Sequence, residues 1–464
     1  MIAVPSGVHL PRYRLSVALL LMAALAACGG ASRLDEDQQA MVRLLSLLAV
    51  LATLWPLDFA PLRRHAATVA AAAAIVALPL LQLTPLPPAL WAALPGHVLY
   101  ADIAAATGTI GWRPLTLTPD LTRNTLLALL PGFAAGLSSL YLDQQQRVHL
   151  YETIVGLAVI SAVWGLAQAN SGGTAYHLYH ASNADTAPGL FANRNHQAAL
   201  LACALPLAGV LGGLRSHGRN RTPALLATAG IMLLLMLGLA ATASRMGLVL
   251  GAVGMVGAVA GFRASGAPIW RWSARGLAIG LSGIALVSVV ALAIDRSGVL
   301  GRIGGAGLAS DTRMAALPAL LRMARQFWPT GAGFGAFASI YPQFEPTTAL
   351  STIFLNQAHD DALQLVIEGG LPALLLLLAF LAWWLWRATG LIIGQLRGTP
   401  APLGVAAMVV TAILMLSSLV DYPLRTPWLS AIFAIACIEM HRTAVARSLA
   451  RRRSAETMPV AAPA

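Results

Sequence analysis

The chain has 464 residues, 58% of them hydrophobic and only 10% charged, with a mean hydropathy of +0.72. A water-soluble body carries roughly 25% charge, so a soluble globular protein is excluded and lipid is the main solvent. The formal charge is +12, which in so apolar a chain speaks for membrane topology and contact with anionic lipids, and against nucleic acid as a partner.

Apolar runs of this length do not fit the alternating strands of an outer-membrane barrel. Helices satisfy their own backbone groups in hydrocarbon. The fold class expected is therefore all-α, a polytopic membrane helix bundle of about twelve transmembrane helices. In chain order the predicted spans are 15–30, 41–57, 66–83, 124–141, 151–169 and 198–214, then 223–240, 246–262, 276–294, 371–386, 402–419 and 427–440. Leu25-Ala26-Ala27-Cys28-Gly29 resembles a lipoprotein cleavage site behind Arg12 and Arg14. With so many spans following, it is read as part of a plain first helix.

The organisation expected is N-terminal transmembrane helices (1–83), central ones with outer loops (84–294), a large outer loop (295–370), C-terminal transmembrane helices (371–446) and a disordered tail (447–464). With both termini cytoplasmic, 18 of the 30 basic residues, all arginine, lie inside and 12 outside, in agreement with the positive-inside rule. This describes a multi-pass protein of the bacterial inner membrane. Cys28, Cys203 and Cys437 show no paired or metal-ligand spacing and suit buried positions. With no phosphate loop or Rossmann glycine pattern, direct use of ATP is not expected, and no cofactor is either.

The 295–370 loop carries its own pattern. Asp311-Thr312-Arg313 precedes Met314, Leu317, Leu320, Leu321 and Ala324, with Arg322 and Arg325 nearby. That spacing predicts an amphipathic helix ending near Pro329 and suited to the membrane surface. Gly331-Ala332-Gly333-Phe334-Gly335 must then turn tightly. A second short helix runs from about His359 to Glu368, is stopped by Gly369-Gly370, and leads into a span opened by Leu371-Pro372.

The outer face gathers Arg194, His196, Arg245, Arg313, His359, Asp360 and Asp361. Arg245 sits in a hairpin between two strongly apolar helices, where a charge is costly and favours a polar cavity or an anion. Guanidinium forks bind phosphate oxygens in pairs, so Arg194, Arg245 and Arg313 together suit a diphosphate at the membrane surface. Taken singly, each also fits a snorkelling or headgroup-contacting arginine. His359 in Ala358-His359-Asp360-Asp361 could take a proton from a hydroxyl, with a nearby carboxylate orienting it; it also fits a helix-capping histidine. Adjacent positions on a helix do not face one site, so metal binding by these residues is not expected.

Asn356-Gln357-Ala358-His359-Asp360-Asp361-Ala362-Leu363-Gln364-Leu365 and the following Glu368-Gly369-Gly370-Leu371-Pro372 closely resemble the hallmark segment of the O-antigen ligase and polymerase family. That segment has an Ala-His-Asn-Asp core, then Leu-Gln-Leu, Glu and Gly-Leu-Pro. Gly189-Leu190-Phe191-Ala192-Asn193-Arg194-Asn195-His196 is similar to its Gly-x-Phe-x-Asn-Arg-Asn-His stretch, and Thr242-Ala243-Ser244-Arg245 to its Thr-x-Ser-Arg hairpin. Arg313 with Pro329, Gly331, Gly333 and Phe337 resembles its loop helix and glycine turn. Ser418-Leu419-Val420-Asp421-Tyr422-Pro423-Leu424 resembles a further stretch. Asp360 stands where the family usually has asparagine.

The resemblance implies a GT-C-like bundle and a metal-independent, inverting glycosyltransferase. It would move a glycan from undecaprenyl diphosphate to the hydroxyl of an acceptor glycan or lipid A core at the periplasmic face. It implies that Arg194, Arg245 and Arg313 hold the diphosphate and His359 activates the acceptor, with His196, Asp361 and Glu368 supporting. Ligase and polymerase roles stay open. A twelve-helix flippase or transporter would instead place ionisable residues near the midplane, and a scaffold would not need Arg245 and His359.

Overall fold

The computed structural model describes residues 13–33, 36–172, 175–179, 186–216, 221–266, 312–345, 355–397, 399 and 401–456. The first half contains α1 (Tyr13–Cys28), α2 (Gln38–Leu54), α3 (Ala60–Arg64), α4 (Ala66–Gln82), α5 (Pro88–Ala92), α6 (Val98–Ala106), α7 (Pro119–Ala128), α8 (Leu130–Leu140), α9 (Gln144–Asn170) and α10 (Arg194–Arg215). Next come α11 (Arg221–Ala241), α12 (Arg245–Ala264), α13 (Thr312–Gln326), α14 (Phe337–Ile340), α15 (Asp361–Leu396), α16 (Pro402–Ser418) and α17 (Pro427–Glu456). The one sheet among the described residues pairs β1 (Pro85–Leu86) antiparallel with β2 (Arg113–Pro114).

Among the described residues, six helices are long and apolar enough to cross a membrane: α9, α10, α11, α12, α15 and the Pro427–Ala446 part of α17; α1, α2, α4 and α16 are shorter apolar helices. A polytopic membrane bundle accounts for them. The expected span 276–294 lies outside the described residues. The expected span 124–141 is two helices, α7 and α8, separated at Leu129. Pro131 has no N–H to give the carbonyl of Leu127, and its ring crowds that oxygen, so the helix breaks there. α9 starts earlier than its expected span because Asp143 and Gln146 form a capping box: Gln146 N–H donates to Asp143 Oδ1 at 2.8 Å, and Asp143 N–H to Gln146 Oε1 at 3.0 Å. α17 runs on as helix to Glu456.

α10 is the axis of the bundle. It is apolar all round, and every residue from His196 to Gly213 is buried, as expected of a helix with no solvent face. α12 packs closely against it because Gly209 and Gly254 lie at the crossing: a Cβ on Gly209 would strike the Ala258 carbonyl, and one on Gly254 the Ala202 carbonyl. Small residues at such crossings let helices approach where lipid offers no hydrophobic drive.

Hydrogen bonds sort the charged residues into two ends. At one end Arg14 reaches Asp58 and the Trp55 carbonyl, Arg147 pairs with Glu439 at 2.7 Å, Arg215 with Glu152 at 2.6 Å, and Arg442 donates to the Leu140 carbonyl at 2.6 Å. All four arginines belong to segments expected in the cytoplasm. The other end gathers the starts of α10, α12 and α15 and the α16–α17 connection.

Against that second end rests a smaller core made by the loop: Ala316, Leu320, Met323 and Phe327 of the α13 segment pack with Phe337, Ala358 and Ile367. The buried stripe of α13 is thus Ala316, Ala319, Leu320 and Met323, whereas Leu317 and Leu321, expected on the same face, are exposed. The glycine turn is fastened to the start of α15: Ala332 N–H donates to the Ile367 carbonyl at 3.0 Å, and Gly333 N–H to the Glu368 carbonyl at 2.9 Å. Gly370 (φ 60°, ψ −149°) divides α15 into a short leading helix and a long one, as the Gly-Gly-Leu-Pro sequence predicts. That conformation is reserved for glycine, and Leu371 N–H then turns to the Pro329 carbonyl at 2.8 Å.

Candidate active site

His359 immediately precedes Asp360, the N-cap of α15, whose carboxylate accepts from Leu363 N–H at 3.0 Å. His359 itself has φ 53°, the left-handed region that side chains other than glycine enter at a cost. Gln364 holds this corner, accepting from Ala358 N–H at 2.9 Å and donating to Gln357 at 2.7 Å. The turn aims the imidazole away from its neighbours in sequence and towards the α16–α17 connection. There, His359 Nδ1 lies 3.2 Å from Asp421 Oδ1.

Asp421 is the hub. Its Oδ1 also accepts from Tyr422 N–H at 2.9 Å, and its Oδ2 accepts from Asn195 Nδ2 at 2.6 Å and Asn193 Nδ2 at 3.3 Å. The carboxylate is 1% exposed. Burial alone would raise its pKa. The hydrogen bond from His359, the two nearby imidazoles and Asn195 outweigh burial and hold the group well below the ordinary carboxylate range. An ionised carboxylate only accepts, so Nδ1 of His359 carries hydrogen and Nε2 is left as the basic nitrogen. An imidazole held in that tautomer can take a proton from a hydroxyl.

The chain of contacts continues from the hub. Asn195 Oδ1 accepts from Ser244 Oγ at 2.9 Å, and Ser244 caps α12 by accepting from Gly247 N–H at 3.0 Å. Two of the arginines expected at the site adjoin this chain. Arg194 is the first residue of α10 and half-buried; Arg245 is the first residue of α12 and exposed. Ala243, in the hairpin before it, is also left-handed at φ 49°. Helix N-termini carry partial positive charge, so an arginine on each places two positive groups where an anion could be received. Arg313 stands in the first turn of α13; its side chain lies outside the described residues.

The other expected supporting residues sit differently. His196 Nδ1 meets Thr426 Oγ1 at 2.9 Å, while its Nε2 is 3.8 Å from Asp421, near enough for attraction and too far for a hydrogen bond. Asp361 and Glu368 do not touch His359. They hold Arg425: its Nε donates to Asp361 Oδ1 at 3.2 Å, and its Nη2 lies 3.5 Å from Glu368 Oε2. Ser418 completes the Asp361 contacts at 3.0 Å. The carboxylate expected beside His359 therefore comes from Asp421, across the fold, and Asp360 serves the helix backbone. No cluster of three or more potential metal-ligating side chains occurs among the described residues.

Residues 230–378 match the O-antigen ligase family model, Wzy_C. No curated protein matches the chain. The stretch so matched includes Ser244, Arg245, the glycine turn and His359. Arg194, Asn195, Asp421 and Arg425 lie outside the matched stretch; Asn195, Asp421 and Arg425 are joined to it by the contacts above. Sequence reading named Arg194, Arg245 and His359. It quoted Asp421 within a family-like stretch but gave it no role, although it is a carboxylate between two apolar segments of a chain otherwise so poor in charge.

Proposed function

We propose that the protein is an integral-membrane glycosyltransferase of the O-antigen ligase type, moving a glycan from undecaprenyl diphosphate to an acceptor hydroxyl at the periplasmic face. The observation that carries this reading is the His359–Asp421 pair, set beside two helix N-termini that each begin with arginine. Arg194 and Arg245, with Arg313, bind the diphosphate. His359 Nε2 takes the acceptor proton as the acceptor oxygen attacks the anomeric carbon. The bond from that carbon to the diphosphate oxygen breaks, its electron pair leaves with the lipid diphosphate, and the anomeric configuration inverts. Arginines facing the diphosphate stabilise the charge that grows on it, so its departure needs neither a protein acid nor a metal. Anionic lipids at the inner surface and an acceptor glycan or lipid A core complete the expected partners.

The test is transfer in vitro from undecaprenyl-diphosphate glycan to candidate acceptors, with and without chelator. Transfer should persist with chelator and vanish in His359→Ala. Undiminished transfer by His359→Ala would remove the proposed base, and uptake or lipid flipping in vesicles without transfer would replace the reading by transport.

A further inference from the structure

α13 has two apolar stripes, and among the described residues one of them packs into the loop core. At about 100° per residue, Ala316, Ala319, Leu320 and Met323 form the face buried against the loop core. Leu317 and Leu321, with Trp328 just past the helix end, recur at helical spacing on the neighbouring face, 37%, 44% and 41% exposed. Beyond them the helix turns basic, with Arg322 and Arg325 both exposed. Going round the helix, the order is core, exposed apolar, basic. That order suits a helix lying in a lipid interface, with its cations at headgroup level.

A second loop element repeats the feature. α6 has nine residues, too few to span, yet Leu99 and Ile103, one turn apart, are 50% and 51% exposed. Ile110 and Trp112 follow at 66% and 68%. The two elements are tied together, since Tyr100 accepts from Gln343 Nε2 at 2.7 Å and Gly96 abuts the Phe327 ring.

We propose that α13 and α6 form a lipid-docking surface, seated in the headgroup–acyl boundary of the leaflet on the site's side of the membrane. Arg322 and Arg325 lie on lipid phosphates. The occupant is lipid because apolar side chains adjoin guanidinium groups, and because an apolar helix precedes α6 in the chain (α4) and another follows α13 (α15). The surface bears on His359, since Ala358 and Ile367 pack in the same small core as α13. Docking depth then sets the height of the imidazole above the acyl chains.

The full-length chain, with Cys28 and Cys437 changed to alanine, is spin-labelled in turn at Leu317→Cys, Leu321→Cys, Ile103→Cys and Arg325→Cys. It is reconstituted in vesicles of phosphatidylcholine with phosphatidylglycerol. Relaxation by oxygen is compared with relaxation by a water-soluble nickel chelate. The expected result is an oxygen-to-nickel ratio several-fold higher at 317, 321 and 103 than at 325, falling when Arg322 and Arg325 are changed to glutamine. Equal ratios at all four positions would overturn the proposal, as would labels at 317 and 321 shielded from both reagents, which would mark a protein interface. The measurement uses no glycan, so its outcome is separate from that of the transfer reading.

Discussion

Asp421→Asn asks the site a narrow question, because it changes one oxygen to an amide without changing shape. The carboxylate accepts from His359 and Tyr422 on Oδ1 and from Asn195 and Asn193 on Oδ2. An amide keeps one acceptor oxygen. If that oxygen stays towards His359, the new NH2 faces the two asparagine amides. Asn195 could flip, but the Ser244 hydroxyl would then lose the amide oxygen to which it donates, and Asn193 would still lack its acceptor. Leaving one buried donor unsatisfied costs about 1–3 kcal/mol of stability. If the oxygen turns the other way, His359 meets an NH2 at Nδ1. Its hydrogen moves to Nε2, and the nitrogen facing the acceptor is no longer basic. Losing a general base costs about 10²–10⁴-fold in rate, equivalent to about 3–5 kcal/mol in the barrier. Transfer by purified Asp421→Asn, measured as product per folded enzyme, should fall within that range, with a lower unfolding temperature. Wild-type turnover in a variant that unfolds normally would refute the orienting role assigned to Asp421.

Other expectations follow from neighbouring contacts. Ser244→Ala removes both a helix cap and the link to Asn195; it should cost about 0.5–2 kcal/mol and lower transfer less than Asp421→Asn, with Ser244→Thr restoring both in the same assays. Gly370→Ala puts a side chain on φ 60° backbone against Pro329; thermal unfolding should show a loss of about 1–3 kcal/mol, and unchanged stability would mean that the corner relaxes. Glu439→Ala strands Arg147 at the far end of the bundle, and unfolding in detergent should register a loss of about 3–5 kcal/mol. Because its pKa is depressed, the Asp421 carboxylate contributes stability above the ordinary value of about 4 and loses it progressively as pH falls from there through its own lower value. The unfolding-temperature gap between wild type and Asp421→Asn should therefore stay flat down to about pH 5 and narrow below about pH 4.

The helices were legible because lipid imposes one simple demand, a long apolar run with its backbone bonded internally. The Gly369-Gly370 stop, the Leu371 restart and the α13 helix followed from equally local signals. The division of 124–141 turned on Pro131, whose missing N–H matters more than the hydropathy around it. Which stripe of α13 would be buried could not be read from spacing, since Leu317 and Leu320 are equally apolar and only the partner surface distinguishes them. Arg194 and Arg245 stood out as charges at the edges of apolar runs, and His359 as a histidine in an acidic helix start. The pairing of His359 with Asp421 spans 62 residues and depends on how α15 and α16 turn back, which no local pattern encodes. Asp360 and Asp361 drew attention as neighbours in sequence, but His359 in the left-handed region faces away from them.

α17 begins six residues after Asp421, and Glu439, twelve residues further along, is clasped by Arg147. A helical rise of about 1.5 Å per residue makes this stretch a strut of about 18 Å between the two boundaries of the bundle. Asp421 cannot ride up or down along the membrane normal without tearing a buried ion pair at the far end. If the protein acts as proposed, whatever travel the reaction requires falls to the lipid-borne donor and the incoming acceptor, which must come to a fixed depth.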